Sequence, residues 1–287
     1  YDIGNGESAQ TFIAVDAARD SGTGNIVAPW ERSGARPVLS VSAGGVELLA
    51  GTDYTVKYYD NTTVGGTGKA VITGKRNLRG TKTVEFTVTK GDLGTATGIA
   101  KDVVRSGKAG RWLSKVVFKD SAGKKLVAGR DYERELAYTY LSVPEGAAVA
   151  AGSTPQPADD PPVGTEISVK AIGLAGSGYE GTEKVVSYRI VSADIAKAGI
   201  VLKPQEWTGD PVTLDVGDAA TLFKTTPAVK IDGQMTGLVF GEDFAVVEGS
   251  YKNNVKRGTA SVTLIGLNGK LGGTKVVKFK IVSRKIK

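Results

Sequence analysis

The sequence predicts an all-β chain folded as three tandem β-sandwich modules. Apolar and polar residues alternate in short runs, the period of a half-buried strand. Gly, Asn and Asp interrupt these runs roughly every eight to twelve residues, as turns do in sandwiches. The same block then recurs three times: Gly51-Thr52-Asp53-Tyr54, Gly129-Arg130-Asp131-Tyr132 and Gly241-Glu242-Asp243-Phe244.

Each copy continues in the same order. Tyr54 to Tyr59 reads as a strand, closed by a turn at Asp60-Asn61. An alternating run ending in glycine follows: Ala70, Ile72 and Gly74; then Ile167, Val169, Ala171 and Gly173; then Ala260, Val262, Leu264 and Gly266. A Gly-Thr pair next opens an apolar–aromatic–aliphatic strand. These strands carry Val84, Phe86 and Val88; Val186, Tyr188 and Ile190; and Val277, Phe279 and Ile281. Lys69–Thr73 and Thr83–Thr89 are expected to pair as a hairpin over Gly74–Gly80, their alternate residues lining one inner face. The middle copy has one extra residue after its Gly-Thr, expected as a β-bulge. One Trp lies upstream in each copy, at Trp30, Trp112 and Trp207. The best helical candidate, Gln10 to Arg19, is Ala-rich but short.

In the Gly-x-Asp-aromatic block, the glycine suits a positive φ in a turn. The Asp is expected to accept backbone N–H bonds as an Asx-turn, and the aromatic to enter the core. The joints repeat as well: Val88-Thr89-Lys90-Gly91-Asp92-Leu93 matches Ile190-Val191-Ser192-Ala193-Asp194-Ile195. No Gly/Ser-rich or Pro-rich spacer separates the copies, so neighbours are expected to be held in a restricted orientation. The boundaries fall at 1–90, 91–193 and 194–287. Modules of about 95 residues suit an immunoglobulin-like sandwich of about seven strands, here in an elongated series.

Composition narrows the chemistry. The chain has no His and no Cys. That removes Ser-His-Asp and Cys-His nucleophiles and the His- or Cys-ligated metal centres. Two adjacent carboxylates, Asp159-Asp160, fall far short of a calcium site. A glycosidase needs two carboxylates across a cleft, and repeated sandwiches offer none. We therefore expect no enzyme, and no catalytic, cofactor-binding or metal-binding residue. Net charge is +7, with 14 basic and 9 acidic residues after residue 193. Lys275, Lys278 and Lys280 read as solvated, edge-protecting strand faces rather than a basic stripe interleaved with aromatics, so no nucleic-acid partner is expected. No run approaches the 18 apolar residues of a membrane span, so no membrane insertion is expected in this segment. Tyr1 to Gly6 has no signal-peptide character, so a mature form or a piece of a longer chain is expected, with a further unit after Ile286-Lys287.

These blocks resemble an immunoglobulin-like repeat of large surface proteins of Gram-positive bacteria. The resemblance rests on Leu49, Gly51, Asp53, Tyr54, Val56, Tyr58, Asn61, Gly74, Gly80, Thr81 and Phe86 in copy one. Copy three is similar, with Phe244 for Tyr and Asn253 or Asn254 for Asn. Copy two departs at Glu133-Arg134-Glu135 and in a long insertion after it. The resemblance implies an exported, wall-associated protein of stalk or adhesin type at the bacterial cell surface. Export without disulfides would also account for the missing Cys, although chance is the alternative.

Two segments could carry contacts with a host protein or glycan. The insertion 141–162 holds five of the ten prolines and reads as an extended or mobile loop, either decoration or a partner-contacting element. It has no aromatic platform for a sugar. The stretch 210–228 is a second expansion, expected to add a loop or extra strand.

Overall fold

The computed structural model describes residues 13–283, without the side chains of Ile13, Asp218 and Ala220. Among them the fold is all-β. Its strands are two to nine residues long, and its longest helix is the four-residue Ala219–Leu222. The chain forms two compact units. The first holds the described residues up to Ile99 with Val117–Ala137 and Lys170–Val185. The second holds Ala100–Val116, Tyr138–Val169 and the described residues from Val186 onward.

In the first unit a four-stranded sheet runs in the order Val27–Pro29, Thr81–Thr89, Thr67–Gly74, Tyr54–Tyr59. Val27–Pro29 lies parallel to the end of Thr81–Thr89, and the other pairs are antiparallel. The register places Ala70 opposite Val84 and Gly68 opposite Phe86. Ala70, Ile72, Phe86 and Val88 are buried, as the period-two pattern requires. A three-stranded sheet of Ile13–Asp16, Ser40–Ala43 and Val46–Glu47 supplies Val41 and Ala43, which share one core with Tyr54 and Ile72 of the larger sheet and with Leu78 of the turn after Thr67–Gly74. Face-to-face burial of this kind is sandwich packing.

Part of the helical candidate Gln10–Arg19 lies outside the described residues. The rest is not helical, in keeping with the strand pattern read along the chain. Ile13–Asp16 is a strand paired with Ser40–Ala43, and its Val15 packs on the Val41 core. Tertiary pairing outweighs alanine propensity over so short a run.

The second unit repeats the arrangement. Its sheet order is Gln205–Glu206, Thr274–Val282, Gly258–Gly266, Phe244–Val246, again with a parallel first pair. Val262 stands opposite Val277, and Ala260 opposite Phe279. With Val229 and Leu238, contributed by and beside the hairpin Ala228–Ile231/Gln234–Gly237, they fill one core around Phe244 and Leu264. Burying a side chain the size of Phe279 is worth about 1.5–3 kcal/mol.

The middle copy falls partly in each unit. Ile167, Val169, Ala171, Tyr188 and Ile190 are buried, in the phase that alternation predicts. Its extra residue is not a bulge. The Gly74 amide donates to the Gly80 carbonyl and that of Gly266 to Gly273, whereas that of Gly173 donates to Thr182. Counted from these carbonyls, Val84, Val186 and Val277 stand at the same distance along their strands. The turn absorbs the insertion and leaves the strand phase untouched.

Candidate functional site

The triplicated block is a backbone clasp. Gly51, Gly129 and Gly241 have φ of 82°, 73° and 93°. Each Asp carboxylate accepts the amide of the residue four positions before it: Leu49 at 2.9 Å, Val127 at 2.7 Å and Val239 at 2.8 Å. The carbonyl of that same residue accepts the Asp amide in all three copies. The expected forward Asx-turn is thus corrected to a reciprocal closure directed backward. Tyr54, Tyr132 and Phe244 are buried as predicted. A carboxylate in this clasp is already engaged by the backbone, which accounts for its recurrence without a ligand.

The copies differ in what else faces the Asp. Asp243 meets Lys270 of its own copy at 3.0 Å. Asp131 is 1% exposed and meets Arg32, from copy one, at 3.3 Å. This ion pair belongs to the first joint, which lies within the first unit. Around it the Ser33 amide donates to Asp120 at 2.9 Å, and the Ser121 hydroxyl donates to Glu31 at 2.7 Å. The Gly91 amide donates to the Gly178 carbonyl at 2.9 Å. Trp30 stands edge-on to Tyr179, with centroids 5.1 Å apart. Its indole rests over Gly178, where a Cβ would stand only 2.1 Å from the ring carbon Cδ2. Burial, reinforced by Glu31, Asp120 and Asp131, pushes the Tyr179 phenol well above its ordinary pKa. An open groove of about 510 Å³ runs alongside, lined by Trp30, Lys90, Arg130 and Glu180 among others.

The second joint lies within the second unit and uses other side chains. Asp102 accepts the Arg189 amide at 2.8 Å and its guanidinium at 3.0 Å. It also accepts the Gly273 amide at 3.1 Å. Ala193–Asp194 pairs in parallel with Leu271–Gly272, and the Ala193 amide donates to the Lys270 carbonyl at 3.0 Å. A Cβ on Gly272 would lie 2.5 Å from that of Asp102, so only glycine admits the approach.

Both joints then enter a 3₁₀ turn, Leu93–Thr95 or Ile195–Lys197. Asp92 and Asp194 cap these turns through the amides of Gly94 and Ala196. Lys275 is not a solvated strand lysine. Its Nζ donates to the carbonyls of Ala196 and Ala198, whereas Lys278 and Lys280 are exposed.

The insertion 141–162 is tied to its surroundings. The Tyr140 hydroxyl donates to Asp159 at 2.8 Å, the Gly110 amide donates to the Asp159 carbonyl, and the Trp112 indole donates to the Gln156 carbonyl. Arg105 pairs with Asp160 at 2.6 Å. Both adjacent carboxylates are therefore engaged. Among the described residues no three acidic side chains gather as a metal site would require. In the 210–228 stretch, Val216–Asp218 and Ala219–Leu222 form short helical turns rather than an extra strand. A groove of about 520 Å³ beside them is lined by Phe223, Pro227, Phe240, Lys203 and Lys224, among others.

Sequence reasoning missed the joint residues Arg32, Asp102, Asp120, Gly178 and Arg189, and the pairing of Asp131 with Arg32. The signals available were Trp30 and the glycines of the 173–181 turn. No family model matches the chain, and no curated protein matches it.

Proposed function

We propose that this chain is a non-catalytic segment of an extracellular surface protein. Its three immunoglobulin-like modules, 1–90, 91–193 and 194–287, would act as a stalk that displays or supports an adhesive element. The joints carry this reading. Each linker amide is hydrogen-bonded to the next copy's hairpin turn, and glycines allow the backbones to approach. Such contacts oppose bending, and holding something at a distance requires that. The wall-associated setting of Gram-positive bacteria rests on the resemblance of the repeats. Small-angle scattering tests the mechanical part: an elongated, narrow distribution of distances is expected, and a compact globule would defeat the reading. Surface labelling of cells expressing the protein tests the location.

A second reading is recognition of a host protein or glycan through the 141–162 insertion or the 210–228 stretch. It is favoured by the pinning of the insertion through Asp159 and Asp160, because a fixed loop loses little entropy on binding. Deleting 141–162 should then abolish binding to host cells or mucus; unchanged binding would remove the insertion from consideration.

A further inference from the structure

Trp30 and Trp207 are set in the same frame and end differently. The Trp30 amide donates to the Thr89 carbonyl at 2.9 Å, and the Trp207 amide donates to Val282 at 2.8 Å. Their indoles donate to the carbonyls of Thr62 at 2.7 Å and Val255 at 3.1 Å. The residues before those carbonyls also match. Asn61 bonds Ala35 through backbone and side chain, and Asn254 does the same with Val212. Asp60 and Asn253 both take a positive φ, 53° and 57°. Trp30 and Trp207 are therefore one position of the fold.

The Trp30 ring is half-buried, with Gly178 and Tyr179, at the tip of the next copy's hairpin turn, packed against it. Trp207 is 40% exposed, beside the exposed Val255 and Val282. An open depression of about 410 Å³ is lined by Val255, whose carbonyl accepts the Trp207 indole N–H, and by Asn253, Lys256 and Arg257 among others. At the position where Trp30 meets a neighbouring turn, Trp207 therefore presents apolar surface to water.

We propose that the Trp207 face is a docking surface for a β-hairpin turn, carried by another sandwich repeat, with glycine under the indole and an aromatic next to it. This deepens the reading of the joints as rigid couplings and rests on it. The Lys256 and Arg257 side chains at the rim favour an acidic residue after the aromatic, just as Glu180 stands 4.0 Å from Lys90 at the first joint. A second copy of this chain does not fit through copy one's turn. Leu78 and Tyr179 occupy the same place, each packed over a strand-end glycine, Gly74 or Gly173. The residue before Leu78 is Asn77, whose Cβ would stand where the indole must lie.

The test uses the full chain and a cyclised peptide of residues 172–183, the turn that Trp30 already holds. The indole N–H resonances report each tryptophan separately. The Trp207 resonance should shift saturably up to about 5 mM peptide. The Trp30 resonance, whose seat for this turn is already occupied by Gly178 and Tyr179, should stay in place, and the Gly178→Ala peptide should have at least tenfold weaker effect. No Trp207 shift, or equal shifts from both peptides, overturns the proposal. A compact scattering profile of the unaltered chain would instead overturn the stalk reading, so the two failures are distinguishable.

Discussion

The two joints reach the same backbone contact with unrelated side chains. At the first, Gly91 meets the Gly178 carbonyl, and the support is aromatic and ionic: Trp30 on Tyr179, Arg32 on Asp131. At the second, Ala193 meets the Lys270 carbonyl, and a single carboxylate, Asp102, ties Arg189 to Gly273. Arg105 stands where Trp30 stands in copy one, since its amide donates to the Val191 carbonyl, and it reaches Asp160 instead of a neighbouring copy. The geometry of a joint thus resides in the linker amide and the glycines that let it approach. The side chains around it are exchangeable solutions.

The sharpest way to break this comparison is Asp131→Ala. It strands the Val127 amide and leaves Arg32 without its partner, at a cost of about 3 kcal/mol in urea unfolding. Asp53→Ala removes the same clasp where no cross-copy ion pair depends on it, and should cost about 1 kcal/mol. Equal losses would show that the first joint gains nothing from the pair.

Glycine substitutions come next. Gly178→Ala forces Trp30 off its seat, costing about 1–3 kcal/mol and shifting its fluorescence to the red. Gly176→Ala, where a Cβ meets nothing, bears only the strain of its 75° φ, about 1 kcal/mol, and should leave Trp30 emission unchanged.

Alkaline titration follows. Burial raises the phenol pKa of Tyr140, Tyr179 and Tyr188 in the folded chain. A group raised in this way contributes its full stability below its unfolded pKa, about 10 for Tyr, and loses it as the pH climbs beyond that. Without His, stability should be flat from about pH 6 to 9 and decline above about pH 10. A slope near pH 7 would contradict this. Arg105→Ala should have the smallest effect, under about 1 kcal/mol, because its pair with Asp160 is partly exposed.

Much of the fold was legible because alternation fixes which face of a strand is buried. Ala70, Phe86, Val262 and Phe279 all lie inward as their spacing requires. The clasp was half legible. Its Asp and aromatic are visible in sequence, but its partner is a backbone amide, which every residue but proline possesses. The joints were the least legible. Arg32 and Asp131 lie 99 positions apart, and nothing local to either marks the other. Trp112 was misleading as the counterpart of Trp30 and Trp207, because it is buried against Tyr138 while Arg105 takes the equivalent place.

The parallel pairing of each copy's short leading strand with its final strand carries one last implication. Val27–Pro29 lies parallel to Thr87–Thr89, and Gln205–Glu206 lies parallel to Ile281–Val282. Tension at the two ends of a copy would drag these partners past each other along their own axes. Their hydrogen bonds would then be loaded together in shear rather than unzipped one by one, which is the orientation in which a short ladder withstands the greatest pull.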